Sequence, residues 1–377
     1  MASKEIVVPP LKIVFEEKDR INILNEVERV LTSGMIAAGE NVKKFEEFWA
    51  DYTGCKYAIA CSNGGAALEL ILKAIDVNGK DVLVPTNTFI ATVNAIIFAG
   101  GTPIFLDTDT RTMGVNLQEI KNKKTDNTAG VIVVHIGGII SPEMENISGW
   151  CRENNIWLVE DAAHAHGSEL KGRRAGAFGI AAAYSFFATK VVTSGEGGIV
   201  VTDDENIANK CKSLRDYGKI SQWVSEHHLV SGNYRISEIT AILGLFQSKR
   251  LDEFIDYRNK IANTYSKYLK NDFELILPND RCSWYKYIVV LPDEIDRKTF
   301  KLKVKEMGVS LQGEVYEIPV HMQPVFKDEF GQLPMPNSAS ICKKHICLPI
   351  FYGMSDEQVA FTIECLQKTL HEMRKKI

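Results

Sequence analysis

No segment of this 377-residue chain approaches the roughly 18 consecutive apolar residues that a bilayer-spanning helix needs, so a membrane span is not expected. The first ten residues, Met1 to Pro10, lack the apolar stretch of a secretory signal. There is no C-x-x-C pair. The eight cysteines (Cys55, Cys61, Cys151, Cys211, Cys282, Cys342, Cys347 and Cys365) are scattered, several in apolar segments, which points to reduced thiols in a cytoplasm. No long basic run exists, and the net charge of −4 is spread along the chain, which argues against a nucleic-acid partner. The basic end Arg374-Lys375-Lys376 reads as a solvated helix terminus. Internal repeats and low-complexity stretches are absent.

What is present is a chain able to bury a large core: 45% of residues are hydrophobic and 24% charged, as in soluble globular proteins. Its length suits two domains. Ile21, Leu24, Val27 and Leu31 follow helical spacing, and Gly34 stops that helix. Seven apolar runs follow as candidate strands: Tyr57–Cys61, Asp81–Val84, Pro103–Leu106, Gly130–His135, Ile156–Val159, Ala181–Phe186 and Gly198–Val201. Most are continuous and β-branched, the texture of strands buried on both faces. Helical segments such as Ala66–Ile75 and Glu145–Glu153 lie between them, which predicts a wound, mostly parallel seven-stranded sheet between helical layers. From about Leu251 the pattern changes to a helix (Arg258 to Leu269), a strand (Tyr285–Leu291), a helix near Arg297–Met307, and a last helix. Ser355 and Gln358 open that last helix with capping-box spacing, and its apolar face is Val359, Ile363, Leu366, Leu370 and Met373. The expected division is a large α/β domain over 1–250 and a smaller C-terminal α+β domain over 251–377.

In wound sheets ligands collect at the carboxyl ends of strands, so polar residues after apolar runs carry the chemistry. Four such places occur. Cys61-Ser62-Asn63-Gly64-Gly65-Ala66-Ala67 joins a strand to a helix, and its small residues let backbone N–H groups reach an anion; a plain tight turn is the alternative. Glu160-Asp161 ends a buried strand, where a carboxylate needs a partner such as a pyridinium N–H, a salt bridge or a helix cap. His164 and His166 follow it, but no matching ligand set recurs nearby, so no metal is expected. Ser185-Phe186-Phe187-Ala188-Thr189-Lys190 sets a lysine after an apolar strand and before the glycine turn Gly195–Gly198. A partly desolvated lysine beside a cation loses its proton and becomes a nucleophile, whereas most lysines are solvated. Ser185 and Thr189 there offer hydroxyls to a phosphate. Phe89, in Pro85–Thr92, lies just past a strand end, where a ring covers either a flat cofactor or the core.

The order of these motifs resembles the DegT/StrS-type sugar aminotransferases, a branch of the pyridoxal-phosphate (PLP) enzymes of the aspartate-aminotransferase fold. The similarity runs from Ser33-Gly34 and Gly39–Val42 through Ser62–Leu68, Glu160–Gly167, Ser185–Lys190, Gly195–Gly198, Leu214–Gly218 and Gly232–Glu238 to Pro319–Pro324. It implies a three-layer large domain with a smaller second domain. It implies Lys190 as the Schiff-base lysine and proton shuttle, Asp161 on the pyridine nitrogen, and Phe89 stacked on the ring. Gly64, Gly65, Ala66 and Ser185 would hold the phosphate, and His164 would lie beside the ring's 3′-oxygen. Asn233 would reach the partner subunit's cofactor in a homodimer with the active site at the interface, and His321 would line the sugar pocket. Two departures are visible: the family usually has threonine at position 65 and often glutamine at 164. Relatives that act as dehydratases carry histidine at position 190, so the lysine argues for transamination.

The resemblance therefore implies a cytoplasmic aminotransferase that moves an amino group from an amino-acid donor, L-glutamate, to a nucleotide-linked keto sugar for surface polysaccharide or amino-sugar synthesis. The same chemistry on a small phosphorylated ketone or cyclitol is a second reading, and a non-catalytic PLP-binding regulator a third.

Overall fold

The computed structural model describes residues 6–221 and 224–375. Met1 to Glu5, Gln222-Trp223 of the loop 219–231 and Lys376-Ile377 lie outside the described residues, so Lys376 of the basic terminus is not placed.

Twelve strands form in the described residues. The first five are β1 (Tyr57–Cys61), β2 (Asp81–Pro85), β3 (Thr102–Leu106), β4 (Thr128–Val134) and β5 (Trp157–Asp161). A short hairpin follows, β6 (Glu169–Leu170) with β7 (Arg173–Arg174), and then β8 (Ala181–Ser185) and β9 (Gly198–Thr202). The last three are β10 (Glu274–Ile276), β11 (Tyr287–Val290) and β12 (His345–Leu348). Seven of them make one sheet in the order β1-β9-β8-β5-β4-β2-β3, in which only β9 runs against its neighbours. The expected seven runs thus all become strands of one mostly parallel sheet. The expected end of the fifth moves: β5 continues through Glu160 and Asp161, so these acids end the strand rather than follow it.

Alternation explains why the runs read as continuously apolar. On β4, Val131 and Val133 enter one core while Ile132 enters the other, and on β9 Ile199 and Val201 separate likewise from Val200. Each face needs its own apolar residues because helices cover both. The result is a three-layer α/β architecture.

Four helices matter for the site and its surroundings: α1 (Glu17–Ser33), α2 (Glu40–Thr53), α3 (Gly64–Ala74) and α4 (Ile90–Phe98). Helix α1 ends at Gly34, whose φ of 71° is left-handed and suits glycine. Of its expected apolar stripe only Val27 packs. Ile23 and Val30 meet Ile242, while Ile21, Leu24 and Leu31 are 53%, 66% and 59% exposed.

The C-terminal part carries β10-β11-β12 as an antiparallel sheet over its own core. The helix Leu251–Leu269 begins earlier than its sequence pattern suggested and joins the cores: Leu251, Phe254 and Ile255 pack with the large sheet, Ile261, Tyr265 and Leu269 with the small one. The last helix, Asp356–Arg374, has the capping box formed by Ser355 and Gln358, and buries Val359, Ile363, Leu366 and Leu370. Near the start of the chain Val8 pairs with Val309 and enters the same small core.

Candidate active site

The carboxyl ends of β1, β5 and β8 and the start of α4 converge on a cavity of about 410 Å³. Among its walls are Gly64, Gly65, Phe89, Asp161, His164, Ser185 and Lys190, drawn from segments up to 126 residues apart in sequence (Gly64 to Lys190). A parallel sheet with same-handed crossovers delivers every strand end to one edge, which is why such distant residues meet.

Which of the two adjacent acids faces the cavity is decided by strand alternation. Glu160 is fully buried and accepts from the amides of Gly176 (2.7 Å), Phe178 (2.6 Å) and Gly179 (2.7 Å), with His135 Nε2 at 2.9 Å. Four donors saturate a carboxylate. Glu160 is therefore a structural anchor for the segment after the β6–β7 hairpin. Asp161 points the other way and, among the described residues, accepts from two groups: Thr92 Oγ1 to Oδ2 at 2.7 Å, and the Ala163 amide to Oδ1 at 3.1 Å. Thr92 gives its proton to Asp161, so the Thr88 hydroxyl, 2.8 Å away, donates to Thr92. The Asp161 carboxyl is pushed above its ordinary value by burial, against the pull of Thr92, Ala163 and Lys190. A buried carboxylate with lone pairs to spare calls for a cationic donor.

Lys190 follows β8 in a turn. Burial brings its amine down to about 7; Asp161 opposes that shift and the neighbouring Lys286 reinforces it. The amine lies 4.6 Å from the centre of the Tyr285 ring. Tyr285 also stacks on His164, centroids 4.2 Å apart, and its hydroxyl lies 3.2 Å from Thr189 Oγ1. Thr189 lines the same cavity, its hydroxyl sharing one hydrogen bond with Tyr285. His164 is held well below its ordinary pKa by burial and by the two lysines, so it is neutral. Its Nδ1 accepts the Gly137 amide at 3.4 Å, which leaves Nε2 protonated toward the Tyr316 hydroxyl at 3.3 Å.

The candidate anion cradle lies where α3 meets β8. Asn63 caps α3, its carboxamide taking the Ala66 amide at 2.8 Å. Ala66 is therefore occupied and does not line the cavity, unlike Gly64 and Gly65, whose amides find no protein acceptor among the described residues. A Cβ on Gly64 would stand 2.7 Å from Ser185 Cβ, so the close approach of helix and strand demands glycine there.

Two expected residues are elsewhere. His321 is buried with Nδ1 2.6 Å from Thr86 Oγ1 and borders a different cavity, the one beside Pro319 and Met335. The reason is that a buried imidazole needs a hydrogen-bond partner, and the end of β2 supplies it. Asn233 is exposed; its backbone pairs with Asp216 and its side-chain oxygen accepts the Arg235 amide at 3.1 Å. Phe89 is at the mouth, 58% exposed, 6.0 Å from the Tyr316 ring. Thr92, Tyr285 and Tyr316 went unread as site residues. A threonine one turn after Phe89 was the only signal for the first, and the two tyrosines arrive from the second core, where sequence order gives no hint of proximity.

Among the described residues no group of His, Cys, Asp and Glu side chains is placed to hold a metal, no helix is long and apolar enough to cross a membrane, and all eight cysteines are free and buried.

Comparison with known proteins identifies the family and the fold. A sequence model of the DegT/DnrJ/EryC1/StrS aminotransferase family matches residues 17–367. The GDP-perosamine synthase of Escherichia coli O157:H7 is 31% identical over 357 residues, covering 94% of this chain and 95% of its own. The dTDP-3-amino-3,6-dideoxy-alpha-D-galactopyranose transaminase of Aneurinibacillus thermoaerophilus is 33% identical over 352 residues, covering 92% and 94%. Among solved structures, NtdA from Bacillus subtilis with bound cofactor PMP superposes with a TM-score of 0.90 at 25% identity, over 98% of this chain and 87% of that one.

Proposed function

This chain belongs to the DegT/DnrJ/EryC1/StrS aminotransferase family, whose members are PLP-dependent, and from that premise we propose that it transfers the amino group of L-glutamate to a nucleotide-linked keto sugar. The observation that carries the proposal is that the Lys190 amine, the buried Asp161 carboxylate and the Gly64–Ser185 cradle line one cavity. Support for the acceptor class comes from the relatives that act on GDP- and dTDP-linked sugars.

The residues fit PLP on three counts. Two free helix-terminal amides and the Ser185 hydroxyl suit a phosphate dianion. Asp161 retains acceptor capacity for a protonated ring nitrogen. Lys190 has an amine held near neutrality. Bound PLP supplies a carbonyl that takes up an amino group and a ring that withdraws electrons. The protein does the rest. Asp161, fixed by Thr92 and Ala163, keeps the proton on the ring nitrogen. Lys190 would hold the cofactor and, when free, would move a proton to and from the donor's α-carbon, a task suited to a base near pH 7. Neutral His164 would donate from Nε2 beside Tyr316, and Phe89 would cover the ring at the mouth.

The working unit in this proposal is a cytoplasmic homodimer. Ile21, Leu24, Leu31, Met35 and Ile36 leave an apolar patch uncovered on and just after α1, as a partner surface would. Asn233, exposed and outside its own cavity, is free to approach a partner's cofactor. The split into units 1–250 and 251–377 rests on the separate small sheet β10-β11-β12, although Val8, Met113, Val134, Ile136 and Ile139 also enter its core.

The test is spectroscopic and kinetic. Purified protein should absorb at the band of lysine-bound PLP, L-glutamate should convert it to the pyridoxamine form, and that form should turn over with a nucleotide-linked ketohexose. Lys190→Ala should lower turnover by at least ~100-fold. Wild-type rates in that variant, or an absorption band indifferent to every amino acid, would refute the reading. Reaction with keto phosphates in place of nucleotide sugars would move the substrate to the smaller class.

A further inference from the structure

Lys286 stands one residue from Tyr285 and is only 8% exposed. Among the described residues its amine makes neither an ion pair nor a hydrogen bond, while its backbone amide donates to the Gly137 carbonyl at 3.2 Å. Its amine lies 5.1 Å from the centre of the Tyr285 ring, the ring that the Lys190 amine also approaches. On its other side is Gly313, where an added Cβ would fall 2.6 Å from the amine. Gly313 lines a second cavity that shares Phe89 and Tyr316 with the first.

The charged and titratable groups around Lys286 do not neutralise it. The Glu314 carboxylate is taken by Lys301. Arg258 is itself a cation, its Nη1 donating at 2.8 Å to the carbonyls of Trp284 and Ile350. Cys347 is pushed up to about 12 and His164 well down, so both are uncharged. Among the described residues, Lys286 and Arg258 are therefore left without a carboxylate partner, and burial lowers the Lys286 amine from its ordinary value. A buried, unpaired ammonium is costly unless an anion arrives to meet it. The cofactor phosphate answers for the Gly64–Ser185 end and not for the Tyr285 side.

Resting on the aminotransferase reading, we propose that Lys286 receives the α-carboxylate of the amino-acid donor. Proton transfer by Lys190 requires the donor's α-carbon beside its amine, and the α-carboxylate is one bond from that carbon. Tyr285 lines the same cavity as Lys190, with its ring 4.6 Å from the Lys190 amine and 5.1 Å from the Lys286 amine, which sets Lys286 next to the place where the carboxylate would lie. Lys286 is then a binding residue that orients the donor.

The experiment compares holoenzymes of the wild type, Lys286→Met, Lys286→Gln and Lys286→Arg, each checked for an intact cofactor absorption band. The probes are 2-methyl-L-glutamate, which has the α-carboxylate and no transferable α-proton, and 4-aminobutyrate, which lacks that carboxylate. Loss of a charged hydrogen bond predicts at least tenfold weaker binding of 2-methyl-L-glutamate to Lys286→Met and Lys286→Gln, about the effect of one such bond, with partial recovery in Lys286→Arg. Binding of 4-aminobutyrate should stay within about twofold, since it never meets Lys286. Wild-type affinity for 2-methyl-L-glutamate in the variants, or equal weakening of both probes, would overturn the proposal. A wild-type band unmoved by L-glutamate would instead defeat the aminotransferase reading.

Discussion

Gly64→Ala isolates the contact between α3 and β8. The added methyl would sit 2.7 Å from Ser185 Cβ and 3.2 Å from Ser185 Cα. Carbon atoms rest at roughly 3.5–4.0 Å, so about 1 Å must be found, and the nearest atoms belong to a buried strand end that cannot swing away. Overpacking of that kind costs about 1–3 kcal/mol. Alanine's advantage over glycine in a helix, at most about 1 kcal/mol and less in the first turn, does not offset it. The shift also moves the Gly64 and Gly65 amides off their aim. Losing one charge-assisted hydrogen bond, about 1.5–3 kcal/mol, weakens phosphate binding roughly 10- to 150-fold. The control is Gly65→Ala, whose methyl would meet Ala91 Cβ and Asn63 Oδ1 at 3.3 Å, a shortfall of a few tenths. It should stay within about threefold of wild type in cofactor affinity. Titration of the cofactor-free protein with PLP, followed by absorbance, together with urea unfolding, measures both effects. If Gly64→Ala bound PLP as tightly as Gly65→Ala and unfolded with the wild type, the cradle would not lie between α3 and Ser185.

Two further outcomes are expected. Burial lowers the Lys190 amine from 10.5 to about 7, so between those values the unfolded chain holds a proton that the folded, cofactor-free protein has released. Stability attributable to this group therefore rises with pH across that window and is lost as pH falls toward 7. In urea unfolding at a series of pH values, Lys190→Met should flatten that rise relative to the wild type, and parallel curves would contradict the assignment. At the exposed stripe of α1, Leu24→Asp with Leu31→Asp should shift sedimentation from dimer to monomer without unfolding α1, because both side chains point outward. An unchanged sedimentation coefficient would place the partner surface elsewhere.

Much of the fold was legible before any coordinates. Seven apolar runs became the seven strands of one sheet, Gly34 ended α1, and Ser355 with Gln358 capped the last helix. Local signals govern these features: continuous apolar texture, a residue tolerant of positive φ, and a side chain three residues from its amide. Strands β10 and β12 were missed because each is short and packs within a core assembled from distant segments. The apolar spacing of α1 was seen, yet the face that packs is the one holding Ile23 and Val30; periodicity locates a stripe and does not say what covers it.

For the site, sequence alone determined the residue types at the strand ends, Gly64-Gly65, Asp161, Ser185 and Lys190, because a wound sheet sends those ends to one edge. Tertiary structure decided the rest. Pleating turned Asp161 inward and left Glu160 to backbone donors. Capping removed Ala66 from the cradle, and Thr86 drew His321 away. Burial brought an unpaired Lys286 to the ring beside Lys190. Orientation, satisfaction of hydrogen bonds and desolvation depend on neighbours contributed by remote parts of the chain, and no local pattern encodes them.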